Sequence, residues 1–179
     1  VFYYACSYAK VDYSRFMNTT VRITLKLIPD SLQTQPVFLC VDDTMVSKFG
    51  TKFENVSKLF DHATHNGSNY LNGHCFVSVM LCVPVWNGDK VSHLSVPLGY
   101  RMWQKKESKL ELAASMIRQV MPEFHSKDHV IILCDSWYTK QNLLSIVDEY
   151  SNLDLIGNAR IDSVMYDLAP AQTGRRGRP

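Results

Sequence analysis

Cysteine is scarce in this chain and nowhere arranged for a shared task. There are five, Cys6, Cys40, Cys75, Cys82 and Cys134, an odd number with no close pair and no Cys-x-x-Cys. Cys40, Cys82 and Cys134 lie inside apolar runs, where a free thiol packs as a small hydrophobe. That pattern argues against a disulfide-stapled secreted domain and reads as a reducing, cytosolic compartment. His62, His65 and His74 fall close together, but no Cys/His spacing fits a closed structural zinc site. Long hydrophobic runs are missing too. None approaches the roughly 18 apolar residues of a membrane helix, and no signal peptide is visible, so no membrane role is expected. Charge of one sign is also in short supply: the net is +2 over 179 residues, so bulk charge does not announce a nucleic-acid binder.

What is present is globular. Hydrophobic residues make up 46% and charged residues 20%, enough for one domain with a sizeable core, or a domain plus a helical appendage. The chain opens on Val1 rather than Met and closes on Gly177-Arg178-Pro179 after a basic run. It is therefore expected to be an interior piece of a longer protein.

Two short apolar runs each lead into an aspartate: Val37-Phe38-Leu39-Cys40-Val41-Asp42 and Val130-Ile131-Ile132-Leu133-Cys134-Asp135. A buried strand that delivers a carboxylate at its end is how α/β proteins bring charge to the rim of a sheet, where metals and phosphates can reach it. Around these runs the chain reads as follows. Phe16, Val21, Leu25 and Ile28 recur at helical intervals before Pro29, although the β-branched Thr19-Thr20-Val21 cluster pulls the other way. Residues 37–42 are strand one, and 43–73 read as a polar loop with short regular pieces at most. Residues 74–85 form a long strand, Asn87-Gly88-Asp89 a hairpin turn, and 91–100 the return strand. Ser108 and Glu111 make a capping box. The helix behind it buries Leu110, Ala113, Ala114, Ile117, Val120 and Met121 and stops at Pro122. Residues 129–134 are the next strand. Thr139 caps a second helix with Leu143, Leu144 and Val147 inward, and 153–157 are the last strand. Three divisions are expected: 1–35 helical, 36–167 the core, and 168–179 a basic Gly/Pro/Arg linker.

The order β-β-β-α-β-α-β predicts an α/β fold with a mixed five-stranded sheet flanked by helices, the strand order of the RNase H-like fold. In that layout strand one is central and strand four lies beside it, so Asp42 and Asp135 become neighbours. Two close carboxylates repel unless a cation sits between them. Mg²⁺ or Mn²⁺ would relieve that repulsion while leaving room for phosphate oxygens. Two such ions about 4 Å apart can serve phosphodiester chemistry. Either acid could instead be a turn former or a helix N-cap. Asp42 is favoured over Asp43 because the apolar run leads straight into it. Asp43 then points to the other face or supports from behind.

These residues resemble a known family. Val41-Asp42-Asp43-Thr44, Leu133-Cys134-Asp135-Ser136-Trp137-Tyr138 and Gly174-Arg175-Arg176-Gly177-Arg178-Pro179 are similar to the DDE transposases of bacterial insertion sequences, in the branch with DDT and DSWY motifs. Tyr70-Leu71-Asn72-Gly73-His74-Cys75-Phe76 and Val96-Pro97-Leu98-Gly99-Tyr100-Arg101 look like the same branch. The resemblance implies a retroviral-integrase-like core. It also implies hydrolysis and strand transfer at transposon ends with two Mg²⁺ or Mn²⁺ ions, and catalytic and metal-binding roles for Asp42 and Asp135. It implies DNA partners (terminal inverted repeats and target), a homodimer in the complete enzyme, and a place at the bacterial nucleoid. The family's third acid, a Glu in a Tyr-x-x-Arg-x-x-x-Glu-like motif, has no match here. Glu149 and Asp162 are the substitutes on offer, and the piece alone is expected to be inactive. The alternatives are another RNase H-like nuclease, such as a resolvase, or a non-catalytic DNA-binding remnant.

Further residues suit DNA contact, each against the plainer reading of a solvated basic surface. Lys48, Lys52 and Lys58 are interleaved with Phe49 and Phe53. Arg101, Lys105, Lys106 and Lys109 surround Trp103. Arg175, Arg176 and Arg178 offer phosphate contacts, and Arg176-Gly177-Arg178-Pro179 matches an AT-hook core. Trp137 and Tyr138 read as packing at a strand–helix turn rather than as base-stacking groups.

Overall fold

In the computed structural model, residues 8–50, 52–60 and 69–164 are described. Helix α1 (Tyr13–Leu25) starts at Asp12, whose carboxylate accepts from the Arg15 N–H at 3.0 Å. Its buried side is Met17, Val21 and Thr24, while Phe16 is exposed. The expected stripe is thus rotated: Val21 is in it, Leu25 and Ile28 are partly buried beside it, and Phe16 is out. Thr20 satisfies its hydroxyl on the Phe16 carbonyl one turn back, which lets the β-branched cluster sit in a helix.

The strands are β1 (Val37–Ser47), β2 (Ser57–Phe60), β3 (Tyr70–Asn87), β4 (Lys90–Met102), β5 (Val130–Cys134) and β6 (Leu153–Gly157). Between them stand α2 (Lys109–Val120) and α3 (Gln141–Val147). The sheet has six strands, in the order β2-β3-β1-β5-β6, with β4 also paired to β3. β2 and β4 lie end to end along one edge of β3: β2 pairs its residues 70–73 and β4 its residues 76–87. β1, β3 and β4 form the antiparallel meander, and β1, β5 and β6 run parallel. This is the RNase H-like strand order, with β2 added to the five strands expected.

β1 is longer than its apolar run. Asp42–Ser47 continue the ladder against Ser78–Gly73 of β3, so Asp42 lies inside a strand rather than at its end. Local composition hid this, because pairing with an already formed neighbour decides strand length. The β3–β4 hairpin turns at Gly88 and Asp89. Gly88 has φ +59° at the first central position, as a type II′ turn requires.

The helices pack on one sheet face over a single core. Val37, Leu39 and Val41 of β1, Val77, Val79, Leu81 and Val83 of β3, and Val130 and Ile132 of β5 meet the helices there. Met17 and Val21 of α1 join the same core. The capping box at Ser108 and Glu111 is formed, and all six expected inward residues of α2 and its end are buried. α3 departs from expectation at its start and on its face. Lys140, not Thr139, is the N-cap. The Thr139 hydroxyl lies between the carbonyls of Ser136 (3.0 Å) and Asn158 (2.8 Å), and ties the turn to the end of β6 instead. Leu143 and Ile146 are buried, while Leu144 is exposed.

Candidate active site

The pairing among the three parallel strands ends on one level. Val41 pairs Cys134, and Cys134 pairs Gly157. One residue further on stand Asp42 and Asp135. Beyond this rung β5 and β6 leave the sheet while β1 continues against β3. A Cβ at Gly157 would collide with the Thr139 methyl and crowd the Cys134 sulfur, so glycine lets the turn after β5 lie close against β6.

Strand alternation divides the two adjacent acids of β1. Asp42 is exposed and shares parity with Phe38 and Cys40, away from the helices. Its Oδ1 accepts from the Asp43 N–H at 2.8 Å, and its carbonyl from the Ser78 hydroxyl at 3.1 Å. Asp135 is also exposed. Its Oδ1 accepts from the backbone N–H groups of Trp137 (3.0 Å) and Tyr138 (3.2 Å), which fixes its carboxylate over the turn that follows.

Asp43 faces the helices. Lys109 Nζ lies 2.8 Å from Asp43 Oδ2, and the two side chains are only 19% and 16% exposed. The Cys75 thiol donates to the same oxygen at 3.3 Å, and the Tyr138 hydroxyl to Asp43 Oδ1 at 3.1 Å. Tyr138 is 0% exposed. Its phenol is pushed far above the ordinary range, first by burial and then by the charge and hydrogen bond of Asp43, so it stays a donor. Burial, then the Asp43 charge, pushes the Cys75 thiol up to about 12, with Lys109 pulling the other way. Burial, then the Asp135 charge, raises Cys134 to about 11.

The basic residues divide between structure and surface. Lys109 is occupied by Asp43, and also lies over the Trp137 ring at 4.4 Å from its centroid. Arg101 is turned into the fold: its guanidinium donates to Ser115 Oγ (2.8 Å) and Gln119 Oε1 (2.7 Å) of α2. Lys105 lies over Trp103 at 5.8 Å, Lys140 over Trp137 at 4.9 Å, and Lys48 over Phe53 at 5.5 Å. Lys52 is exposed. His74 is held by the Glu54 carbonyl at 2.8 Å. His62, His65, Arg175, Arg176 and Arg178 lie outside the described residues. Glu149 is gripped by Arg118 at 2.6 Å, and Asp162 by Arg160 at 2.9 Å. Each partner holds its carboxylate below the usual range. Among the described residues no group of three or more His, Cys, Asp or Glu gathers as a metal site.

The grouping of Asp43, Lys109, Tyr138 and Cys75 was invisible in sequence, because its members come from β1, α2, the β5–α3 turn and β3. The available signal was parity: once β1 runs past Asp42, Asp43 must face the helices.

Comparison with known proteins narrows the identity. No curated protein matches. A solved structure described as the crystal structure of the Mos1 strand transfer complex is similar at 12% identity and a TM-score of 0.34, over 84% of this chain. The chain spans 42% of that protein's length. The family model described as DDE superfamily endonuclease matches residues 7–179. The chain belongs to the DDE superfamily endonuclease family.

Proposed function

We propose that this chain carries part of the catalytic core of a DNA transposase of the insertion-sequence type, with Asp42 and Asp135 as two of its metal-binding carboxylates. The observation that carries this reading is the parallel register of β1 and β5. Val41 is opposite Cys134, so the next residue on each strand is an exposed aspartate. Both acids are exposed and stand one residue past that rung. As hard oxygen donors they fit Mg²⁺ or Mn²⁺. Such ions, when bound, supply Lewis acidity and an activated water for phosphodiester cleavage.

The chain's own residues would do the rest. Asp42 offers its carboxylate from the rigid centre of the sheet, and Asp135 from a turn locked by two backbone N–H groups. DNA is the proposed partner, its terminal repeats and target running over Lys48, Lys52, Lys105 and the arginines of 175–178. Asp43, already paired with Lys109, serves from behind. The family's third acid has no counterpart motif in these residues, so the 179-residue chain alone is expected to bind metal weakly and not to cleave DNA.

Mn²⁺ titration followed by the EPR signal of the free ion tests the assignment. Asp42→Asn and Asp135→Asn should each weaken binding by at least about tenfold, as loss of one of few carboxylate ligands does. Unchanged binding in both would return the acids to caps and turns. Metal-dependent nicking of plasmid DNA by this chain, lost in Asp42→Ala, would overturn the expectation of inactivity.

A further inference from the structure

We infer that Tyr138 is a positioning residue, a strut that sets the separation of the two acids; the inference rests on Asp42 and Asp135 being the metal-binding pair. One residue bonds both to Asp135 and to the neighbour of Asp42. Its backbone N–H donates to Asp135 Oδ1 (3.2 Å), and its phenol donates to Asp43 Oδ1 (3.1 Å), the residue directly after Asp42. The ring is fully buried. It packs edge-on against Trp137, with centroids 5.0 Å apart and planes at 74°. Neither end of the link can slide without unpacking the core.

Asp43 is in turn pinned from its other oxygen by Lys109 at the start of α2. Its N–H donates to Asp42 Oδ1. A continuous chain of contacts therefore runs from the Asp42 carboxylate through Asp43 and the Tyr138 side chain to the Asp135 carboxylate. The β1–β5 ladder cannot supply this constraint, because its last rung is Val41 with Cys134 and both acids stand past it. Groups that orient ligands in this way change metal affinity without touching the metal.

The test uses the whole chain and Mn²⁺. Tyr138→Phe keeps the ring and the backbone N–H and deletes only the link to Asp43. Its Mn²⁺ affinity should fall about tenfold, within the range seen for outer-shell partners, while thermal unfolding confirms a folded protein. Asp43→Asn weakens the acceptor that the phenol meets, so its affinity should fall by a smaller factor, about threefold. If Tyr138→Phe does not fold, Asp43→Asn is the variant read, and the same loss of about threefold is expected. Wild-type affinity in the strut variant, with Asp42→Asn defective, would overturn the strut and leave the metal pair standing. Loss of binding in Asp43→Asn as complete as in Asp42→Asn would make Asp43 a ligand and also overturn it. If Asp42→Asn itself binds normally, the metal pair fails first and the strut falls with it.

Discussion

Asp42 and Asp43 are neighbours in sequence with opposite physical situations, and stability should tell them apart. Asp43 is half-buried and held by Lys109, Tyr138 and Cys75. Lys109→Met strands that carboxylate, and the loss should be about 2 kcal/mol by urea denaturation. Asp42 is exposed, so Asp42→Asn should change metal-free stability by less than about 0.5 kcal/mol. A destabilisation by Asp42→Asn as large as that by Lys109→Met would mean that Asp42 holds the fold rather than a metal. Sequence reasoning reached Asp42 and Asp135 because each follows an apolar run that announces itself. It could not reach the Asp43 network, whose partners lie 66 residues away for Lys109 and 95 for Tyr138.

At the scale of elements, the most legible piece was α2. Its cap, its apolar spacing and its stop at Pro122 are all local signals, and all three are realised. Ser108→Ala should cost about 1 kcal/mol, as N-cap losses do. Glu111, held below the usual carboxylate range by the Ser108 N–H and hydroxyl, adds a pH signature. A depressed acid contributes stability above its unfolded value, and that stability drains as pH falls through the folded one. Ser108→Ala should therefore lose in acid only the part of its deficit that rests on the hydroxyl's bond to the Glu111 carboxylate, and thermal melts at neutral and acid pH check this. Elements whose limits are set by partners were less legible. β1 extends through Ser47 because β3 pairs with it, not because Asp43-Thr44-Met45-Val46-Ser47 resembles a strand. Thr139 looked like a cap but is used as a clasp to β6.

For the whole molecule, the order of strands and helices was enough to foretell which strands neighbour which, since short connections and sheet order leave few arrangements. The sixth strand escaped because β2 is four residues long within a polar stretch. The molecule also carries an alkaline liability. Thiols Cys40 and Cys75 are raised from 9.0 to about 12 and Cys134 from 9.0 to about 11, each chiefly by burial. The folded state therefore favours neutral sulfur. This contribution is intact below pH 9, the unfolded value, and is lost as pH rises toward the folded values. Melts should hold from about pH 8 to pH 9 and fall from there to about pH 11, and Cys75→Ala should make the fall shallower. The most direct measurement is a crystal soaked in Mn²⁺, read by anomalous scattering beside the last rung of the β1–β5–β6 pairing. A peak in contact with the Asp42 and Asp135 carboxylates, with Asp43 still on Lys109, is the expected result. A peak on Asp43 with Lys109 displaced, or none near either exposed acid, would contradict it.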